Sequence, residues 1–492
     1  MGMTRRGFLW NGAAFAAACG LSGCAAARAA GLAKGAARLR FGVVSDVHIS
    51  AAGVKGPTCG DTALLEKAFA YFRDRGADAV VIAGDMADWG LVEQLEQVAA
   101  AWRKVFPGDR APDGRHVEKL FVYGNHDRDG QYGYQKRYNL PEEMFAPERR
   151  ISSDPGGVWK RVFGEDWAPV MLKEVKGYRF ALCQELEYPG KGAYADFLER
   201  HRAELEGTKP FFYVQHYHPR GTTCAPWTWG QDAGHSTKAL AKFPNAVAFS
   251  GHSHTPLADD RVIWQGAFTS VGTASLRYLV PLGGRENSSP FGAKDPQTKQ
   301  MRGLIPMQGQ NGQFVTVHDD CLVVERRDFT HDLPVGADWV VPLAFDGSLA
   351  FDRRAPKAAV PQFAAGAAVT VSEGRGKVRG GETDQVTVSF PNVRDGARAF
   401  DFEVVVEAVD VDVEKTWMVK RVYSPGYHRA PEKDDAAVTC VFAKSELPPA
   451  YRMGWGADRP LAGQAGMKYR FAVRPCNCWG RKGEAIYSAW RG

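Results

Sequence analysis

Five times between residues 39 and 254 a strand-length apolar run stops at aspartate, asparagine or histidine. LRFGVV leads into Ser45, Asp46 and His48; AVVIA into Gly84, Asp85 and Asp88; KLFVY into Gly124, Asn125, His126 and Asp127; PFFYVQ into His216; and NAVAF into Gly251, His252 and His254. Runs this rich in β-branched and aromatic residues favour extended backbone. AVVIA is apolar at every position, so it has no face to give to water, and a strand of that kind belongs in a sheet covered by helices. In an open α/β sheet the C-terminal strand ends share one rim, where ligands bind. Residues far apart in the chain therefore have a way to meet.

The connecting segments agree with such a sheet. TALLEKAFAYFRDR has helical periodicity with Leu64, Leu65, Ala68 and Phe72 on one face, and LVEQLEQVAAAWRKVF reads as a second helix. Further strands read as RFALCQE, AFTSVGTAS, GQFVTVHDD and CLVVERRDF. The order is βαβαβ early and strand-rich late, which predicts a layered α/β domain over residues 38–330 with helices outside. Two long segments interrupt it: residues 131–170, rich in aromatic and basic side chains, and residues 283–312, rich in Gly, Pro and Gln. Loops of that length are functional or surface decoration. Residues 331–368 contain APKAAVPQFAAGAA and read as a linker. Residues 369–492 alternate strands and turns with no helical pattern, as a small all-β sandwich does. Their ending, YRFAVRPCNCWGRKGEAIYSAW, resembles the last strands of a fibronectin type III domain.

Residues 1–30 stand apart from the fold. Arg5 and Arg6, followed by Phe8 and Leu9, resemble a twin-arginine export signal, and Leu21-Ser22-Gly23-Cys24 resembles a lipobox whose cysteine would be lipidated. The alternative is plain cleavage near Ala27-Arg28-Ala29 and a soluble product. The expected location is outside the cytoplasm, in the periplasm or cell envelope. A lipid on Cys24 would be the membrane anchor, since no long apolar span follows. Seven cysteines lie beyond this segment, with no CxxC pair to suggest structural zinc. Cys440 could pair with Cys476 or Cys478, or all three could be small buried residues. A net charge of +6 on 492 residues, with both signs interspersed, argues against a dedicated nucleic-acid surface.

The polar strand ends offer carboxylates, imidazoles and one amide oxygen, and no thiolate. That set suits hard or borderline divalent metals. Two ions close together need a shared ligand, and a carboxylate has two oxygens to share. Such pairs, roughly 3.5–4 Å apart, clamp the oxygens of an in-line phosphoryl displacement. Singly the signals are weak: His216, like His218 and His235, reads most simply as a hydrogen-bonded histidine, and GNHD could be a turn.

Taken in order, Asp-x-His, Gly-Asp-x-x-Asp, Gly-Asn-His-Asp, His and Gly-His-x-His resemble the calcineurin-like metallophosphoesterase superfamily over residues 39–330. The resemblance implies a layered αββα sandwich and two divalent ions, Mn, Fe or Zn. One ion would be held by Asp46, His48, Asp85 and His254, the other by Asp85, Asn125, His216 and His252, with Asp85 as bridge. It implies that a hydroxide between the ions attacks phosphorus. His126 would stabilise the phosphate or protonate the leaving oxygen, and Asp88 would orient His126; Asp127 is left without a role. Purple acid phosphatases carry a tyrosine where this chain has Asp88, and VVIAGDMADWG looks closer to the class III cyclic-nucleotide phosphodiesterase-like branch.

For substrate, Trp227 and Trp229 after His216 and Tyr132, Tyr134 and Tyr138 after GNHD could stack on a base or sugar; Arg128, Lys136 and Arg137 could meet phosphate charge. Loop packing is the alternative for all of them. The expected function is hydrolysis of phosphate monoesters or diesters, with an envelope polymer as a possible partner of the C-terminal domain. Two other readings stand beside it: an envelope-anchored binding protein with a vestigial metal site, and a nuclease.

Overall fold

In the computed structural model of the chain, the described residues are 35–50, 62–129, 140–184, 193–223, 230–280, 285–287, 309–378, 381–393, 397–410, 413–428, 437–448 and 467–492. The first sheet is centred on β1 (Leu39–Val44). It pairs in parallel with β2 (Ala79–Ala83), which pairs in parallel with β3 (Glu118–Val122). On the other side of β1 the sheet turns antiparallel through β10 (Asn311–Val317) and β11 (Cys321–Asp328), and β11 pairs with both β12 (Leu333–Pro334) and β13 (Trp339–Pro342). The second sheet runs β4-β5-β6-β7-β9-β8, from β4 (Val170–Val175), β5 (Tyr178–Cys183), β6 (Phe211–Val214), β7 (Ala246–Ser250), β8 (Ile263–Gln265) and β9 (Thr269–Gly272). Its four inner strands are parallel and its two edge strands antiparallel.

The two sheets bury one apolar layer between them. Phe41 of the first sheet meets Phe180, Phe212 and Phe249 of the second edge-on, at centroid separations of 5.4, 4.9 and 5.7 Å. Such pairs contribute about 0.5–1.5 kcal/mol each beyond the area they bury. The outer face of the first sheet is covered by α1 (Thr62–Asp74) and α2 (Val92–Val105), whose Leu65, Ala68, Phe69, Phe72, Leu95 and Trp102 form a second core. Leu198, Leu205 and Leu240 cover the second sheet from outside. The expected layered αββα arrangement is therefore present, and every residue of β2, β6 and β7 is buried, as runs without a polar face require.

Three elements differ from the sequence reading. The first sheet continues past residue 330 into β13, where a linker was expected to begin. WVVP is a short edge strand ending in proline, and its brevity gave no periodicity to read. A helix at Pro155–Phe163 lies within a segment read as loop. Its Pro-Gly-Gly start hid it, while Asp154 caps it by accepting from Gly157 N at 3.0 Å. β14 (Thr370–Val378) precedes the first strand expected after the linker; it is mostly exposed and carries no apolar alternation.

The C-terminal region is a two-sheet sandwich. One sheet joins β14, β15 (Gly381–Phe390) and β18 (Val438–Ala443); the other joins β17 (Val413–Tyr423), β16 (Asp401–Asp410), β19 (Lys468–Cys476) and β20 (Ile486–Tyr487). Val386, Val388, Phe402, Val404, Phe442 and Phe471 fill the space between them. The sandwich packs on the first domain: Tyr427 OH donates to Ala258 O at 2.8 Å, and the Arg261 guanidinium lies 5.0 Å from the Phe400 ring centroid. Cys440, Cys476 and Cys478 are buried and unpaired, so the bridge considered from sequence is not formed. Among the described residues no helix is long and apolar enough to cross a membrane. The export signal and Cys24 lie outside the described residues.

Candidate metal centre

Beyond their last paired residues, β1 and β2 stay zipped together. Asp46 N donates to Gly84 O and His48 N to Asp85 O, both at 3.0 Å, so the two loops leave the sheet side by side. Asp127 ties the β3 loop to them. Its carboxylate accepts from Ala87 N at 2.6 Å, Gly124 N at 2.8 Å and Met86 N at 3.2 Å. The residue left without a role by the sequence is thus a knot joining the loops that carry Asp85 and Asn125.

The loops are strained where the polar residues sit. Asp46, His48, Asp85, His252 and His254 have φ between 47° and 67°, the left-handed region that side chains other than glycine rarely occupy. They are half of the ten such residues described. Strain of about 1–3 kcal/mol per residue persists only where the surroundings enforce it, and it gathers at functional sites.

The side chains converge in two clusters. In the first, His254 Nε2 lies 2.9 Å from Asp46 Oδ1 and 3.3 Å from His48 Nε2. In the second, His216 Nε2 lies 3.0 Å from Asp85 Oδ2, 3.1 Å from Asn125 Oδ1 and 3.1 Å from His252 Nδ1. Asp85 Oδ2 reaches toward the first cluster as well, 3.8 Å from His48 Nε2. Asp46-His48-His254 and Asp85-His216-His252 each offer three ligand atoms within 4.8 Å of one another.

The outer ring nitrogens fix what the inner ones present. His216 Nδ1 donates to Ala83 O and His254 Nδ1 to Tyr278 O, both at 2.9 Å, and His48 Nδ1 lies 3.0 Å from Asp88 Oδ1. A carbonyl or carboxylate only accepts, so each of these nitrogens carries the proton, and the neutral ring turns a lone pair inward. The His48 and His254 lone pairs face each other at 3.3 Å and repel unless positive charge sits between them. The electrostatics state the same demand. Burial opposes charge throughout, yet Asp85 and Asp46 raise His216 to about 10, while the histidines hold Asp46 at about 2 and Asp85 well below its ordinary range. A proton on His216 meets that demand in the second cluster of the metal-free protein, and divalent cations fit the donor set of both.

His126 lies beside the clusters with its side chain 21% exposed. Its backbone N–H donates to Asp85 Oδ1 at 2.8 Å. Its Nδ1 bonds to the Asp88 backbone carbonyl at 2.8 Å, whereas the Asp88 carboxylate is 3.7 Å away and closer to His48. The contact expected between Asp88 and His126 therefore runs through the main chain, because the carboxylate turns to the buried imidazole. Burial lowers the His126 pKa, and the Asp85 and Asp88 charges outweigh it and raise it. His218 is a buried core residue between Ser250 Oγ at 2.7 Å and Ser253 Oγ at 2.6 Å, held down to about 4 by burial. Arg128 sits on the one-turn helix Asn125–Asp129, partly exposed. Trp227, Trp229, Tyr132, Tyr134, Tyr138, Lys136 and Arg137 lie outside the described residues.

The sequence reading missed the wall after β9. Thr273 Oγ1 donates to Ser45 Oγ at 2.6 Å, Ser45 Oγ to Asp46 Oδ2 at 2.5 Å, and Ser275 Oγ to the Asp46 carbonyl at 3.1 Å. Tyr278 holds His254 through its carbonyl and lays its ring 4.2 Å from the His254 ring. The signal was available: GTAS follows an apolar run, but hydroxyls do not look like ligands.

Parallel strand ends that gather carboxylates, imidazoles and one amide into groups able to hold metal ions define a metallohydrolase type of site. Residues 39–256 match the family described as calcineurin-like phosphoesterase, and this part of the chain is a calcineurin-like phosphoesterase domain. The protein is accordingly a metal-dependent phosphoric ester hydrolase. No curated protein matches the chain. Among solved structures, a dimetal phosphatase from Danio rerio is 13% identical, with 63% of this chain and 100% of that one covered at a TM-score of 0.37. A purple acid phosphatase from yellow lupin is 14% identical, with 61% and 53% covered at 0.40. Vps29 from Entamoeba histolytica, complexed with zinc, is 10% identical, with 62% and 99% covered at 0.27. Likeness at these scores carries no functional argument.

Proposed function

We propose that the chain hydrolyses phosphate esters with two divalent ions, one held by Asp46, His48, Asp85 and His254 and the other by Asp85, Asn125, His216 and His252. The observation that carries this reading is the pair of clusters joined by Asp85, each turning imidazole lone pairs inward. Ions bound there supply charge that neutralises phosphate oxygens and acidifies water. The chain's own residues do the rest. Ala83 O, Tyr278 O and Asp88 keep three imidazoles in the ligating tautomer. His126, anchored by its Nδ1–H, would donate from Nε2 to the phosphate or to the leaving oxygen, and its raised pKa favours the protonated form. Asp88 orients His48 through its carboxylate and His126 through its carbonyl.

Arg5-Arg6 and the run ending at Cys24 support an exported, envelope-held enzyme. The final strands support a fibronectin type III-like sandwich, and Asp88 in place of tyrosine supports the class III phosphodiesterase-like branch over the purple phosphatases. An envelope polymer would bind through the sandwich. The test is metal content after mild purification together with turnover of p-nitrophenyl phosphate and bis-p-nitrophenyl phosphate with added manganese. Asp85→Asn should lower both metal equivalents together. Metal-loaded protein inert to both esters and to a wider phosphate panel would instead indicate a binding protein.

A further inference from the structure

The two oxygens of Asp46 are treated differently by their surroundings. Oδ1 lies 2.9 Å from His254 Nε2 and faces the first cluster. Oδ2 accepts from Ser45 Oγ at 2.5 Å and from His252 N at 3.0 Å, and the same N–H reaches Oδ1 at 3.1 Å. Behind Ser45 stands Thr273, whose Oγ1 is 2.6 Å from Ser45 Oγ. Ser45, Asp46 and Thr273 are fully buried.

The end of this chain fixes its direction. An ionised carboxylate only accepts, so the Ser45 proton goes to Oδ2; the other acceptor in reach, Ala274 O, is uncharged and farther, at 3.1 Å. Ser45 then has only lone pairs to offer, and Thr273 donates to it, although Ser250 O lies 3.1 Å away on its other side. Each donor in a buried chain polarises the next. With two donors upon it, Oδ2 has both lone pairs occupied, and Oδ1 is the oxygen left for an ion.

We propose that the hydroxyl chain from Thr273 through Ser45 makes Asp46 a one-oxygen ligand and so selects, at the first metal position, an ion of low coordination number such as zinc over calcium. The inference rests on the two-metal reading above and adds what decides the ion held by Asp46, His48, Asp85 and His254. Calcium gathers roughly six to eight oxygens and often takes two from one carboxylate. Zinc is satisfied by about four ligands and accepts imidazole readily. An Asp46 pinned through Oδ2 beside two imidazoles suits the second kind of ion. Without the Ser45 hydroxyl, Oδ2 keeps only the N–H that it shares with Oδ1, and a larger ion can draw on both oxygens.

The experiment is calorimetric titration of the chelator-stripped full chain with zinc chloride and with calcium chloride. His254→Ala and His216→Ala identify which binding step belongs to which position. Ser45→Ala should weaken zinc at the first position about 10–100-fold, the range for hydrogen-bond partners of a metal ligand. Calcium should stay unchanged or tighten, and zinc at the second position should stay within threefold. Thr273→Val keeps the side-chain shape and should shift zinc the same way, at least threefold; it carries the test if Ser45→Ala does not fold. Thr273→Ser, which keeps the hydroxyl, should hold the wild-type ratio of zinc to calcium. Zinc and calcium weakened alike, both positions losing zinc alike, or a wild-type ratio in Ser45→Ala and Thr273→Val would show that the hydroxyls only support the loop and would overturn the proposal. A wild type that binds neither ion overturns the metal reading itself, a result separable from the others.

Discussion

Replacing Gly84 with alanine tests whether the backbone at the strand ends is shaped for the centre. Gly84 has a φ of 89°, and a Cβ there would lie 2.6 Å from His216 Cγ and 2.8 Å from His216 Cβ. Ordinary contact begins near 3.4 Å and Nδ1 comes closer still than Cγ, so the imidazole would have to retreat by about 1 Å. It has little freedom to do so, since its Nδ1–H is bonded to Ala83 O, one residue before the new methyl group. The left-handed backbone adds about 1–2 kcal/mol of strain for any residue with a side chain. A displacement near 1 Å in a catalytic constellation costs on the order of 10²-fold in rate. Gly84→Ala should therefore lose about 1–3 kcal/mol in urea unfolding and about 10²-fold in kcat/KM, with weaker retention of metal. Gly76→Ala is the control: φ is 74°, yet nothing lies within 4 Å of its Cβ, so it carries the strain without the collision. If both variants lose the same stability and both keep kcat/KM within threefold of wild type, the close approach of His216 to Gly84 has no catalytic meaning and the reasoning fails.

Three further outcomes follow from the same contacts. His126→Ala should keep both metal equivalents and slow turnover by roughly 10²–10⁴-fold; loss of metal would show that it ligates or holds a ligand instead. Asp88→Asn removes the charge beside His48 Nδ1, so metal affinity should fall roughly 10–100-fold; unchanged affinity with slowed turnover would return the carboxylate to His126. In chelator-stripped protein His216 is protonated up to about pH 10, so metal must displace a proton and apparent affinity should rise with pH. Calorimetry in buffers of different ionisation enthalpy reads the protons released, and pH-independent binding would contradict the inward-facing His216.

The fold was legible where sequence period and burial coincide. AVVIA is apolar at every position and AVAFS at all but its final serine, and both are buried at every position, because a parallel sheet between layers has no wet face. It was not legible where local signals oppose the outcome. Pro155-Gly156-Gly157 reads as a turn, yet Asp154 and the buried Val158, Trp159, Val162 and Phe163 carry it into a helix. At the centre, strand ends announced the carboxylates and imidazoles, because few other purposes need those types after apolar runs. Tyr278, Ser45 and Thr273 carried no such signal, since hydroxyl and phenol groups are at home in any loop. Asp88 shows a subtler limit: its tie to His126 was expected through the carboxylate and runs through the carbonyl, because which of two imidazoles a carboxylate faces depends on rotamers that spacing does not encode.

The strain at Asp46, His48, Asp85, His252 and His254 has a common cause. Each lies just past the end of its strand, at Val44, Ala83 or Ser250, where the chain leaves the sheet. Gly84, Gly124 and Gly251 precede or separate these turns because a methyl group at any of them would meet Asp85, His216 or Asp46. The glycines and the ligands are thus one device: the ligands take up the unfavourable φ, the glycines clear the space, and Asp127 with Ser45 supplies the hydrogen bonds that hold the loops in that state. Such an arrangement is stable only if the two sheets behind it are rigid. Phe41 at the middle of their shared layer, locked edge-on against three phenylalanines of the facing sheet, lies on the strand that ends just before Asp46, the first left-handed residue of the centre.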